Sequence, residues 1–186
     1  WSSDVCSSDL NRSEKYSEEL EDWLEIPSDK VSFDQRPWMK SAEVADALIE
    51  AMKKEEYGFL RVNFANGDMV GHTGVFDSVR IAVEAVDLAL SRILPVAEKL
   101  GYTLLITADH GNSDDMIQKD KKTGETIPKT SHSLNPVPFI LVDPEGKADL
   151  DRTQGGKAGI ANVAGTVVDL MGFDQPELWE DSLLKK

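Results

Sequence analysis

Apolar positions along this chain fall into two rhythms. From Ser41 to Met52 they recur as Val44, Ala47, Leu48, Ala51 and Met52, the three- and four-residue spacing of one helix face. Ser41 stands where a serine N-cap would accept a free backbone N–H, and Glu43 falls in the first turn, where a carboxylate meets the positive helix end. The same rhythm returns over Val75 to Leu100 through Val79, Val83, Val86, Leu90, Ile93 and Leu94. Pro95 predicts a kink or an end near the last turn, and Gly101 a stop. A last helix is predicted over Ile160 to Met171, stopped by Gly172.

Shorter apolar runs read as strands: Val31 to Phe33, Gly58 to Phe64, Thr103 to Thr107 and Val137 to Val142. The polar, Lys-rich stretch Lys119 to Thr130, with Thr123-Gly124 as its turn, predicts an exposed loop or small hairpin. Glu18 to Glu25 is acidic and ends at the turn-forming Ile26-Pro27-Ser28-Asp29. Strands alternating with helices, without repeats, predict an α/β layer fold.

Composition narrows the setting. The 186 residues suit one domain or a piece of a larger one, and 40% apolar residues suffice for a core. The formal net charge of −14 argues against a nucleic-acid backbone or an anionic membrane surface as the main partner. No apolar run approaches the roughly 20 residues that span a bilayer. A single cysteine, Cys6, cannot form an internal disulfide, which fits a reducing cytosol.

Residues 1–10, WSSDVCSSDL, stand apart. They lack the layout of a signal peptide, and their back-translation resembles a common sequencing-library adapter. The expectation is that these ten residues are foreign, that Cys6 is not native, and that the natural chain is longer, leaving residues 11–186 as the protein segment.

The chain has three histidines, each beside a predicted strand. His72 follows Asp68 by four residues, a spacing that puts carboxylate and imidazole on one side of a helical turn. His110 follows Asp109 directly after the Thr103–Thr107 run, and His132 lies in Ser131-His132-Ser133 just before the Val137 run. Ligands of open α/β sheets bind beyond the carboxyl ends of strands. Asp and His together suit borderline divalent ions such as zinc or manganese. Two carboxylates and three imidazoles are too many for one tetrahedral ion and too few for two complete sites. Each cluster also has a plainer explanation: a surface Asp/His pair, a helix cap beside a solvated imidazole, or a hydrogen-bonded loop histidine.

Three longer words carry more information: Asn66-Gly67-Asp68-Met69-Val70-Gly71-His72-Thr73-Gly74, Thr107-Ala108-Asp109-His110-Gly111-Asn112 and Ser131-His132-Ser133-Leu134-Asn135-Pro136-Val137-Pro138. In this order they resemble the metal motifs of the cofactor-independent phosphoglycerate mutases, within the alkaline phosphatase superfamily. The likeness extends from about Asn11 to Leu184, including Ile26-Pro27-Ser28 and Gly159-Ile160-Ala161-Asn162-Val163-Ala164. It implies a three-layer alkaline-phosphatase-like sheet with helices on both faces, present here as a partial domain. It implies a cytoplasmic glycolytic isomerase that interconverts 3-phosphoglycerate and 2-phosphoglycerate through a phosphoserine, with two manganese ions, usually as a monomer. By the resemblance, Asp68, His72 and His132 would bind the manganese that faces the substrate, and Asp109 and His110 would supply part of the second site.

The family completes that second site with an aspartate and a nucleophilic serine from the front of the chain, and grips substrate with arginines of an inserted domain. None of these has a counterpart here, and Ser131 and Ser133 do not match the nucleophile. A family lysine expected ahead of Asn11 also finds adapter-like residues in its place. The expectation is therefore a chain inactive alone. The alternatives are another phosphomutase or phosphatase of the same superfamily, or a non-catalytic metal-binding module. The net charge does not exclude an anionic substrate, because ions at the site would set the local charge.

Overall fold

The structure, a computed structural model, describes residues 15, 17–154 and 158–185. The expectations for residues 1–10 and Cys6 lie outside the described residues. The chain forms two compact units: Trp1–Leu100 with His110–Pro136, and Gly101–Asp109 with Val137–Lys186.

The first unit holds three helices: α1 (Ser41–Lys54), α2 (Asn66–Gly71) and α3 (Phe76–Leu100). Both α1 and α2 pack along α3. On α1 the buried residues include Val44, Ala45, Leu48, Ile49 and Met52. On α3 they are Val79, Ala82, Ala89, Ile93 and Ala97, whereas Val83 remains 50% exposed. The periodicity of large residues predicted the helix but placed its buried stripe too far toward Val83. Small alanines line much of the packed face, where they permit close approach of the helices.

Two helix boundaries differ from expectation. Ser41 is the first helical residue rather than the cap; its hydroxyl donates to the Trp38 carbonyl at 2.9 Å, so the preceding turn already occupies it. Pro95 does not end α3, which continues to Leu100. The stop is Gly101, whose φ of 76° suits a residue without a Cβ.

The helix α2 is short and is held by its surroundings. Asn66, 2% exposed, donates through Nδ2 to the carbonyls of Pro37 at 3.1 Å and Trp38 at 2.9 Å. Val70 joins Met39, Val79, Ala82 and Met116 in a buried cluster against which Phe33, Ala65 and Met69 pack. The Lys-rich stretch is a hairpin of β2 (Ile117–Lys119) and β3 (Thr126–Pro128), antiparallel with Gln118 opposite Ile127. Asp120 builds its turn by accepting the N–H groups of Lys122 and Thr123, each at 2.8 Å.

The second unit pairs β1 (Leu104–Thr107) with β4 (Phe139–Val142), antiparallel, Leu105 opposite Leu141. Helix α4 (Asn162–Leu170) follows, with Gly172 beyond it at φ 76°. Buried Thr166 ties that helix to the chain's last segment: its hydroxyl donates to the Asn162 carbonyl at 2.8 Å and accepts the Leu183 N–H at 3.0 Å.

Two expected strands are absent from the ladders of the described residues. Residues 31–33 lie in a bend and turn, and residues 58–64 carry no ladder. An apolar run specifies a face to bury but not the neighbour whose N–H and C=O groups complete a strand. Among the described residues no helix is long and apolar enough to cross a membrane.

One carboxylate in the second unit gives a pH prediction. Asp143 accepts the backbone N–H groups of Ala148 and Lys147 at 2.7 Å and Glu145 at 3.2 Å, with Thr103 Oγ1 at 3.3 Å. These bonds, led by that from Ala148, hold its carboxyl below the ordinary range. A depressed folded pKa means stability that is complete above the unfolded value of about 3.9 and lost as pH falls through the folded value. Asp143→Ala is therefore expected to melt below the parent at pH 7, with the gap closing as acidification passes below about pH 4. Thermal melts of both proteins across that range check it.

Candidate metal centre

The α2 helix converts sequence spacing into geometry. The His72 N–H donates to the Asp68 carbonyl at 3.0 Å, so the two residues sit one turn apart with their side chains on one side. His72 Nε2 lies 3.1 Å from Asp68 Oδ1. His132 arrives from the segment between β3 and β4, and its Nε2 lies 3.0 Å from the same oxygen. The two Nε2 atoms are 3.1 Å apart. Three donor atoms from two separate stretches of chain thus converge in a triangle. Their side chains are 31%, 40% and 49% exposed for Asp68, His72 and His132, so the cluster is open to solvent and small molecules.

The hydrogen bonds around the triangle decide its chemistry. His72 Nδ1 is 2.6 Å from the Thr130 carbonyl, which can only accept. The ring proton is therefore assigned to Nδ1, and in the neutral ring Nε2 presents a lone pair toward Asp68 and His132. A carboxylate oxygen and a lone-pair nitrogen 3.1 Å apart repel unless a proton or a metal ion lies between them. Two imidazole nitrogens and a carboxylate oxygen form a donor set that fits a borderline divalent ion.

His110 stands at the edge of this cluster. Its ring stacks on that of His132, centroids 3.6 Å apart and planes 20° from parallel. Donor atoms of Asp68, His110 and His132 all lie within 4.8 Å of one another. The structure therefore gathers Asp68, His72, His110 and His132 in the first unit, with His132 central. Asp109 closes the Gly101–Asp109 segment of the second unit, immediately before His110 in the chain, and is exposed.

Several supporting residues were not singled out in the sequence. Asn112, 4% exposed, donates through Nδ2 to Asp68 Oδ1 at 2.8 Å and fixes the carboxylate's orientation. Ser113 Oγ donates to the Gly67 carbonyl, tying the same loop to α2. Asp114 accepts Ser133 Oγ at 2.7 Å and Asn135 Nδ2 at 2.6 Å. These bonds, Ser133's foremost, hold the Asp114 carboxyl below its usual value. Ser133, beside the metal motif but no match to the family nucleophile, serves here as a hydrogen-bond donor. The available signal was the run Gly111-Asn112-Ser113-Asp114, rich in side chains that bond nearby backbone.

Comparison with known proteins sharpens the picture. The model of the Metalloenzyme superfamily matches residues 7–175. A 2,3-bisphosphoglycerate-independent phosphoglycerate mutase of Trypanosoma brucei brucei is 47% identical, over 94% of this chain and 33% of the relative. A protein of that name from Pseudomonas aeruginosa is 45% identical, over 89% of this chain and 30% of its own. A crystal structure of Leishmania mexicana phosphoglycerate mutase, obtained at low cobalt concentration, superposes with a TM-score of 0.87 at 42% identity, covering 95% of this chain and 34% of that one. The chain spans about a third of the length of the relatives it matches. These likenesses bear out the α/β fold, present as a partial domain, and the family resemblance carried by the three motifs.

Proposed function

The chain belongs to the Metalloenzyme superfamily, and from that premise we propose that it is the metal-binding segment of a cofactor-independent phosphoglycerate mutase. The single observation behind the metal reading is the triangle of Asp68 Oδ1, His72 Nε2 and His132 Nε2, with sides of 3.0 to 3.1 Å. Asp68, His72 and His132 would hold one divalent ion, and Asp109 and His110 would contribute to a second. Manganese is the proposed metal, since carboxylate and imidazole together suit it. A cytoplasmic monomer acting on phosphoglycerate is the setting proposed for the whole protein.

Phosphoryl transfer is largely positioning plus neutralisation of oxygen charge, and bound divalent ions supply that charge and lower the pKa of a coordinated hydroxyl. The residues of this chain do the positioning. Asn112 orients the Asp68 carboxylate, and Thr130 keeps the His72 proton on Nδ1. The exposed side of the cluster would face a phosphorylated acid, whose charge the ions would offset against the net −14 of the chain.

The assay is mutase turnover with manganese, comparing the 186-residue chain with a protein that joins it to the front two-thirds of the trypanosomal relative. The expected result is turnover of 3-phosphoglycerate by the joined protein and none by the chain alone. Turnover by the chain alone contradicts the reading. So does a joined protein that acts on phosphopentoses or simple phosphate esters but not on 3-phosphoglycerate.

A further inference from the structure

We propose that Asp114 is a positioning residue that holds His132 in register with Asp68 and His72, acting through Ser133 and Asn135. This rests on the metal reading above and extends it to a carboxylate outside the triangle. His132 lies in a segment, 129–136, with no helix and no strand ladder beyond the single bridge of Ser133 to Gly111. That bridge contributes one bond, Ser133 N–H to the Gly111 carbonyl at 2.8 Å. The segment's large apolar side chain, Leu134, is fully exposed and anchors nothing. Apart from the stack of its ring on His110, polar contacts therefore set where the imidazole stands.

Lys129 and Thr130 tie down the front of the segment through Asp115 and His72; the two side-chain contacts beyond His132 meet at one atom. Asp114 Oδ2 accepts Ser133 Oγ at 2.7 Å and Asn135 Nδ2 at 2.6 Å, so one oxygen gathers the residues one and three places beyond His132. Ser133 is buried, and its hydroxyl also accepts the Asn135 N–H at 3.4 Å. The clasp closes over a bare backbone. A Cβ on Gly111 would lie 2.2 Å from Ser133 Oγ and 2.4 Å from Asp114 Oδ1. Supporting groups of this kind determine whether a ligand is held closely enough to bind.

The test is cobalt(II) titration of the 186-residue chain, read by calorimetry and by the visible absorption of the bound ion. Asp114→Ala is expected to weaken cobalt affinity by roughly 10- to 100-fold and to reduce the absorption that imidazole coordination produces. Asp114→Asn, which keeps an oxygen to accept the Ser133 hydroxyl, should recover most of the loss. Adding Ser133→Ala to Asp114→Ala should cost little more, because both remove the same clasp. Asp120→Ala, which removes the turn-building carboxylate of the hairpin, should leave affinity unchanged. Ser133→Ala and Asn135→Ala singly give the same readout if Asp114→Ala fails to fold. Parent-like cobalt affinity in all the clasp variants, or equal losses in Asp114→Ala and Asp120→Ala, overturns the inference while leaving the metal reading standing. A parent chain that takes up no cobalt overturns both.

Discussion

Asp68→Ala should abolish stoichiometric divalent-ion uptake by this chain while leaving its helices intact. Asp68 Oδ1 is the one atom shared by both imidazole contacts, 3.1 Å from His72 Nε2 and 3.0 Å from His132 Nε2. Removing it takes away the negative ligand and leaves two neutral nitrogens. The expected loss exceeds the roughly 10- to 100-fold typical of a supporting residue. The side chain is 31% exposed, so its truncation leaves no buried cavity and the fold should survive. Calorimetric titration with manganese or cobalt, alongside circular dichroism, checks both halves. Uptake equal to the parent's would remove Asp68 from the site.

Gly71→Ala should damage fold and site together. A Cβ at residue 71 would lie 2.4 Å from Asn112 Oδ1 and 2.8 Å from its Cγ. Asn112 is buried, and among the described residues that Oδ1 has no hydrogen-bond partner. The new methyl group must push it away from Asp68, breaking the 2.8 Å bond that orients the carboxylate. Overpacking of this kind costs about 1–3 kcal/mol. Metal affinity should fall by about tenfold or more, as when a supporting hydrogen bond is lost. Combining Gly71→Ala with Asn112→Ala removes the obstruction. Stability should then recover in urea melts while metal affinity does not. Recovery of both would show that Asn112 has no part in holding Asp68.

What the sequence made legible was mostly local. The four-residue spacing of Asp68 and His72 is a helical turn in the structure because one backbone bond, His72 N–H to Asp68 carbonyl, enforces it. The hairpin of residues 117–128 was signalled by Thr123-Gly124, where Asp120 and a left-handed Gly124 close the turn. Apolar spacing found α1 and α3 because burial of one stripe repeats every turn. What stayed hidden depends on distant partners. Nothing local in residues 58–64 says which strand would pair with them. Nothing local shows that Asp114 reaches Ser133 and Asn135, 19 and 21 residues on, or that Asn112 reaches Asp68, 44 residues back. Those contacts follow from loop closure, which residue type alone does not encode. Ser41 shows the converse: a residue type suited to a cap, diverted because the Trp38 carbonyl was nearer.

The central claim is that Asp68, His72 and His132 share one divalent cation, and nitrogen NMR of the imidazoles during titration with diamagnetic zinc tests it most directly. The account predicts that the Nε2 resonances of His72 and His132 move together and saturate with zinc, while His72 Nδ1 keeps its proton against Thr130. A titration that leaves either Nε2 resonance where it began would contradict it.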